Sequence, residues 1–227
     1  MAWVDVLWVV GGYVVGTLPA TYLVARARRA TAVLGGSYRD ASEGDAHILM
    51  TRHLGGAWSA LAATLDVGKG FAYPLLARHA GGLGPEWLAL VGVAVVVGHG
   101  WPPYARWMAG RGLSAAAGVL LALLPWGMVV AGVIILTGIV LRYTGPASTI
   151  GLAAAAPIAA VQGQPAAFVA MVGAILAVIM LRRVEGVGQV VRRGVSWPVA
   201  LYYRAVWDTD GPHERPAEGQ APSPGRT

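Results

Sequence analysis

The chain contains no cysteine and a single lysine, and only 12% of its 227 residues are charged. Without cysteine there are no disulfides, no thiolate metal sites and no cysteine nucleophile. A soluble domain carries about 25% charged residues, so the shortage of charge argues against an ordinary soluble fold. The other basic residues are all arginine, a bias read as coding preference without mechanistic content. No histidine is followed five positions later by aspartate, so the His-x4-Asp acyltransferase pattern is missing. There is no Walker loop and no His-Glu-x-x-His motif. The N-terminus shows no basic leader and no clear cleavage site, so Trp3 onward reads as a retained first span. No repeat of fixed period is visible.

What is present is apolar. Hydrophobic residues make up 56% of the chain and the mean hydropathy is +0.58. A helix needs roughly 20 apolar residues to cross about 30 Å of hydrocarbon. Seven candidate spans lie near residues 3–26, 57–80, 87–104, 113–124, 126–141, 147–162 and 165–181. The fourth to sixth are short, and Pro125, Pro146 and Pro165 blur their ends. The chain reads as an all-α integral membrane protein with seven transmembrane helices. Residues 1–193 form the membrane domain and 194–207 an interfacial aromatic segment. Residues 208–227, rich in proline, glycine and charge, read as a disordered cytoplasmic tail.

The formal charge of +6 and pI of about 10.1 would suggest nucleic acid in a soluble protein. Here the basic residues flank apolar runs, so they set orientation and no nucleic-acid partner is expected. With the N-terminus outside and seven alternating spans, fifteen arginines fall on the cytoplasmic side. Only Arg78 lies outside, and Lys69 lies within a span. The positive-inside rule then places the C-terminus in the cytoplasm.

Three polar patches, residues 37–56, 65–70 and 98–118, approach that same face. Charge beside or inside apolar spans is costly and marks function. Arg52, Lys69, Arg111, Arg182 and Arg183 converging on one face would suit phosphate, which arginine grips with paired hydrogen bonds. Gly110 and Gly112 flank Arg111, so backbone N–H groups there are able to approach an anion at a helix start. The plainer alternative is a tight turn carrying an orienting arginine. Asp66 and Lys69, three residues apart, share one helix face. They form either an internal ion pair or a substrate contact. His99 precedes Gly100-Trp101-Pro102-Pro103, where the prolines end the helix. It reads as a base, a hydrogen-bond donor or an interface anchor. Ser42 and Arg52 lie in the longest cytoplasmic loop, a length that favours function. His47 and His53 read as ordinary loop residues.

The order of these patches resembles the membrane acyl-phosphate:glycerol-3-phosphate acyltransferase family, the PlsY family. The resemblance begins at GTLPATYLVAR (16–26) and runs through LDVGKG (65–70), GHGWPPYARWMAGRG (98–112) and RYTGPAS (142–148) to RRVEG (182–186). It implies seven spans with the N-terminus outside, in the cytoplasmic membrane of a bacterium. It implies acyl transfer from acyl phosphate to the 1-hydroxyl of glycerol 3-phosphate, giving lysophosphatidate for phospholipid synthesis, with no metal or cofactor. The implied partners are the two substrates and membrane lipids; the sequence leaves monomer and dimer both open.

The family's first motif falls on ASEGDAHILMTR (41–52). Ser42 and Arg52 keep the family identity. Its Asn falls on Gly44, its second Gly-Ala on Ala46-His47 and its Thr-Asn on Ile48-Leu49. Asp66, Lys69 and Gly70 of the second motif are kept, as are His99 and Pro102. In the third motif Gly-Gly-Lys-Gly becomes Ala109-Gly110-Arg111-Gly112, and the preceding Lys becomes Met108. Glu185 is kept, and the Asn after it becomes Gly186. The resemblance therefore implies catalytic roles for Ser42, His99 and Glu185. It implies phosphate binding by Arg52, Lys69, Gly110, Arg111 and Gly112, with support from Asp66, Gly70 and Pro102. Ser42 has no evident histidine–carboxylate partner, so it reads as a hydrogen-bonding group rather than a nucleophile. The lost polar positions leave a second reading open: a non-catalytic or altered-specificity homologue that binds lipid or a membrane partner.

Overall fold

The computed structural model describes residues 2–31, 46–104 and 110–209, and no strand occurs among them. Ser42, Gly44, Met108 and the tail beyond Thr209 lie outside the described residues, as do the readings attached to them.

Helix α1, Ala2–Gly16, and helix α2, Ala20–Ala27, divide the expected first span. Pro19 carries no N–H and disfavours a helical conformation at Leu18. The two halves meet at 43°, so residues 3–26 are a bent pair rather than one rod. Helix α3, Ala46–Leu54, contains His47 and His53, which are therefore helical and not loop residues. The other long elements are α4 (Gly56–His79), α5 (Pro85–Gly100), α6 (Leu113–Leu123), α7 (Pro125–Val140), α8 (Thr144–Val161) and α9 (Ala166–Val184). Two short helices follow, α10 (Val187–Arg192) and α11 (Trp197–Tyr202), and then a π-helical turn over Tyr203–Trp207.

Thr144–Val161 and Ala166–Arg192 are long and apolar enough to cross a membrane, and the bent α1–α2 pair passes together. α5, α6 and α7 are shorter apolar helices. α7 shows the membrane signature on its outer face, where Trp126, Val129, Val133, Leu136 and Val140 are exposed at helical spacing. α9 continues past the expected end at residue 181, which keeps Arg182 and Arg183 on the helix.

α5 packs between α1 and α9, α4 runs along α6, and α7 runs along α8. The shared core joins Leu88, Val91 and Val95 of α5 to Val119 and Leu120 of α6, Leu152 of α8, and Phe168, Met171 and Ile175 of α9. Small residues let the backbones approach, as in membrane helices generally. Gly70 of α4, for example, lies against the Ala115 carbonyl of α6.

The aromatic segment is docked on the bundle. Ala200 is fully buried and packs with Val187 and Val190. The Arg204 guanidinium is buried and donates to the Glu185 carbonyl at 2.6 Å. The Trp207 ring lies 5.6 Å from that of Tyr143. Trp197 and Tyr202 stay exposed on the other side, the placement that suits aromatic rings to the headgroup layer.

Candidate functional site

The break between α1 and α2 leaves backbone carbonyls without helical partners, and Lys69 supplies donors. Its ammonium donates to the carbonyls of Gly16 at 2.8 Å and Leu18 at 2.7 Å. Its third partner is the Asp66 carboxylate at 2.7 Å. An ammonium has three donors, so all three are matched inside the protein. The structural alternative for the Asp66–Lys69 pair thus accounts for the whole charge of Lys69, and no donor remains for a phosphate in this geometry.

Asp66 also reaches the end of α5. His99 Nδ1 lies 3.4 Å from Asp66 Oδ1, and both residues are buried. The other side of the imidazole rests on Gly110, where the His99 Nε2 atom occupies the space a Cβ would need. A larger residue there would displace the ring. Gly112 adopts φ +94° as the residue before α6, a left-handed conformation that favours glycine. The Gly-Arg-Gly run is therefore shaped by two separate backbone demands.

Gly16 to Thr21, Asp66, His99, Pro102 and Gly110 line a small polar cleft. Its walls are the unwound backbone of the first span, the carboxylate–imidazole pair and the glycine before Arg111. Tyr104 closes one side, donating to the Thr17 carbonyl at 2.6 Å. Tyr13 ties α1 to the turn after α5 by donating to the Trp101 carbonyl at 2.9 Å.

A second polar cluster sits at the ends of α8 and α9. Arg183 is almost wholly buried and donates to Ser148 Oγ at 2.6 Å and Thr149 Oγ1 at 2.7 Å. Its Nε lies 3.7 Å from Asp208 Oδ1. Arg111 Nη1 pairs with the other Asp208 carboxylate oxygen and also donates to the Asp208 carbonyl at 3.0 Å. Arg111 and Arg183 therefore meet across one carboxylate. Arg182 turns the other way, pairing with Glu185 and donating to the Gly110 carbonyl at 3.3 Å. Glu185 accepts from Trp101 Nε1 at 3.2 Å as well. It braces the Trp101 turn and does not line the cleft.

The expected residues thus separate. Asp66, His99, Pro102 and Gly110 share the cleft, and Arg111 stands beside it with Arg183. Arg52 lies on an exposed face of α3. Ser148, Thr149, Thr17 and Asp208 are polar groups that the sequence reading did not single out. One signal for the first two was available: an arginine buried at the end of an apolar span requires polar partners.

Residues 6–192 match the family model for glycerol-3-phosphate acyltransferase. The chain belongs to the glycerol-3-phosphate acyltransferase family. It is 30% identical over 161 residues to the glycerol-3-phosphate acyltransferase of Halalkalibacterium halodurans, covering 70% of this chain and 76% of the relative. The enzyme of that name from Rubrobacter xylanophilus is 34% identical over 121 residues, 53% of this chain and 58% of the relative. For the one from Laribacter hongkongensis the match is 33% over 103 residues, 45% of this chain and half of the relative. Among solved structures, PlsY, an integral membrane glycerol 3-phosphate acyltransferase in its glycerol 3-phosphate form, matches with a TM-score of 0.69 at 26% identity. That match covers 83% of this chain and 92% of PlsY.

Proposed function

We propose that this chain is an integral membrane acyltransferase of phospholipid synthesis that moves a fatty acyl group from acyl phosphate to the 1-hydroxyl of glycerol 3-phosphate. The observation that carries the reading is the joint placement of a polar cleft and an arginine pair. The cleft holds an aspartate–histidine pair and is lined by Gly110, the residue before Arg111, which meets Arg183 across Asp208; the cleft and both arginines lie within the residues matched by the family. Seven spans with the N-terminus outside and the C-terminus in the cytoplasm of a bacterium belong to the same proposal. The bent pair, α4 and α5 to α9 supply seven segments for it.

The chemistry needs no acyl-enzyme. Acyl phosphate is a mixed anhydride, already activated. The 1-hydroxyl oxygen attacks the acyl carbonyl carbon, the carbonyl carbon–phosphate oxygen bond breaks, and the hydroxyl proton leaves on the departing phosphate. Ester and inorganic phosphate balance the two substrates. The protein's task is to position the hydroxyl and stabilise charge on the phosphate and carbonyl oxygens. Arg111 suits the phosphate, His99 is held by Asp66 to orient the acceptor, and Ser42 serves as a hydrogen-bonding group.

The test is transfer of radiolabelled acyl from acyl phosphate to glycerol 3-phosphate by the purified protein. Labelled lysophosphatidate is the expected product. No transfer with either substrate in excess would instead support a lipid- or partner-binding homologue.

A further inference from the structure

The family match ends at residue 192, yet the chain beyond it reaches back into the arginine pair. The contact is built. Arg204 anchors the segment to the Glu185 carbonyl, and Arg183 donates to the Ala205 carbonyl at 3.3 Å. Trp207 rests on Tyr143, and its backbone lies against Gly145. Asp208 follows at φ +62°, a left-handed turn that aspartate tolerates better than most side chains. That turn aims two oxygens of one residue, the carbonyl and the carboxylate, at Arg111 Nη1. The second carboxylate oxygen faces Arg183 Nε at 3.7 Å. The arrangement is that of an anion held between two guanidiniums. Two such charges at the end of apolar helices repel each other and call for a counter-charge.

We propose that Asp208 is a tethered carboxylate that occupies this arginine site in the resting protein and gives way to a substrate phosphate, thereby setting substrate affinity. The inference rests on the assignment of Arg111 to phosphate in the proposed acyl transfer. Substrate phosphate and the Asp208 carboxylate compete for the same donors. The anchors at Arg204 and Trp207 keep the carboxylate at high local concentration. The price is a weaker apparent affinity for phosphate, and the gain is a site that never stands as two bare cations.

The experiment compares full-length wild type, Asp208→Asn and Asp208→Glu. KM is measured for glycerol 3-phosphate at fixed acyl phosphate and for acyl phosphate at fixed glycerol 3-phosphate. Loss of one charge-assisted contact corresponds to roughly tenfold or more. Asp208→Asn is expected to lower KM by that factor for the substrate whose phosphate lies on Arg111. kcat should be unchanged, and Asp208→Glu should stay near wild type. The two KM arms identify which phosphate it is. Hydrogen–deuterium exchange on the wild type needs no variant. Exchange over residues 205–209 should rise when that substrate binds. Unchanged or raised KM in Asp208→Asn, or exchange that falls on binding, overturns the proposal and leaves Asp208 a structural brace. If the wild type neither transfers acyl groups nor binds glycerol 3-phosphate, the proposed function itself fails, and this inference with it.

Discussion

Lys69 of α4 donates to the Leu18 carbonyl at 2.7 Å across the break in the first span. The bond joins residues 51 positions apart. It turns a charge expected at the substrate into a clamp on the α1–α2 bend. Lys69→Met should therefore strip two hydrogen bonds and an ion pair, and leave Asp66 buried beside His99. Removing one partner of a buried pair costs about 3–5 kcal/mol. The expected outcome is a clear fall in the unfolding temperature of the detergent-solubilised protein. A variant as stable as wild type, but with a raised KM, would return Lys69 to the substrate.

Arg111→Ala should leave the protein folded and weaken the phosphate-bearing substrate roughly tenfold or more, the size expected for one charge-assisted hydrogen bond. Steady-state kinetics in both substrates measure it. Unchanged KM and kcat would remove Arg111 from the site.

Gly110→Ala is expected to act on the chemistry rather than the fold. The new methyl falls where the His99 imidazole now rests. The ring must then turn from its place beside Asp66. Misplacement of a positioned group by about 1 Å costs about a hundredfold in rate. Loss of kcat with a near-normal melting profile is the expected pattern, and wild-type kcat would show that His99 does not act from this position.

Direct transfer predicts intersecting initial-rate lines when both substrates are varied. Parallel lines, with labelled acyl trapped on Ser42, would establish an acyl-enzyme instead.

For topology, a reporter fused after Trp207 should be cytoplasmic, and one inserted at Gly81-Gly82, in the turn between α4 and α5, should be external. A cytoplasmic signal at Gly82 would sink the arrangement drawn from the arginine distribution.

Helix content and the membrane class were legible because apolar run length and scarce charge are properties of composition. The pairing of Asp66 with Lys69 was legible as one of two readings, because i,i+3 spacing fixes a shared face. Which reading applied depended on carbonyls freed at Gly16 and Leu18. Those arise from a proline on another helix, a long-range consequence that spacing does not carry. The arginine cluster was foreseen as one face, but it divides. Arg182 and Arg183 are adjacent on a helix and so point about 100° apart, one to Glu185 and the other to Asp208. Asp208 itself was assigned to the tail, since its partner Arg111 lies 97 residues away. His47 and His53 were misread as loop because α3 is short and weakly apolar.

The unwound turn from Gly16 to Pro19 opens polar backbone into the cleft. Such backbone is tolerated within a membrane protein where it is buried or borders water. The bend therefore keeps polar backbone, bonded by Lys69 and Tyr104, inside a bundle whose outer surface along α7 is oil-like.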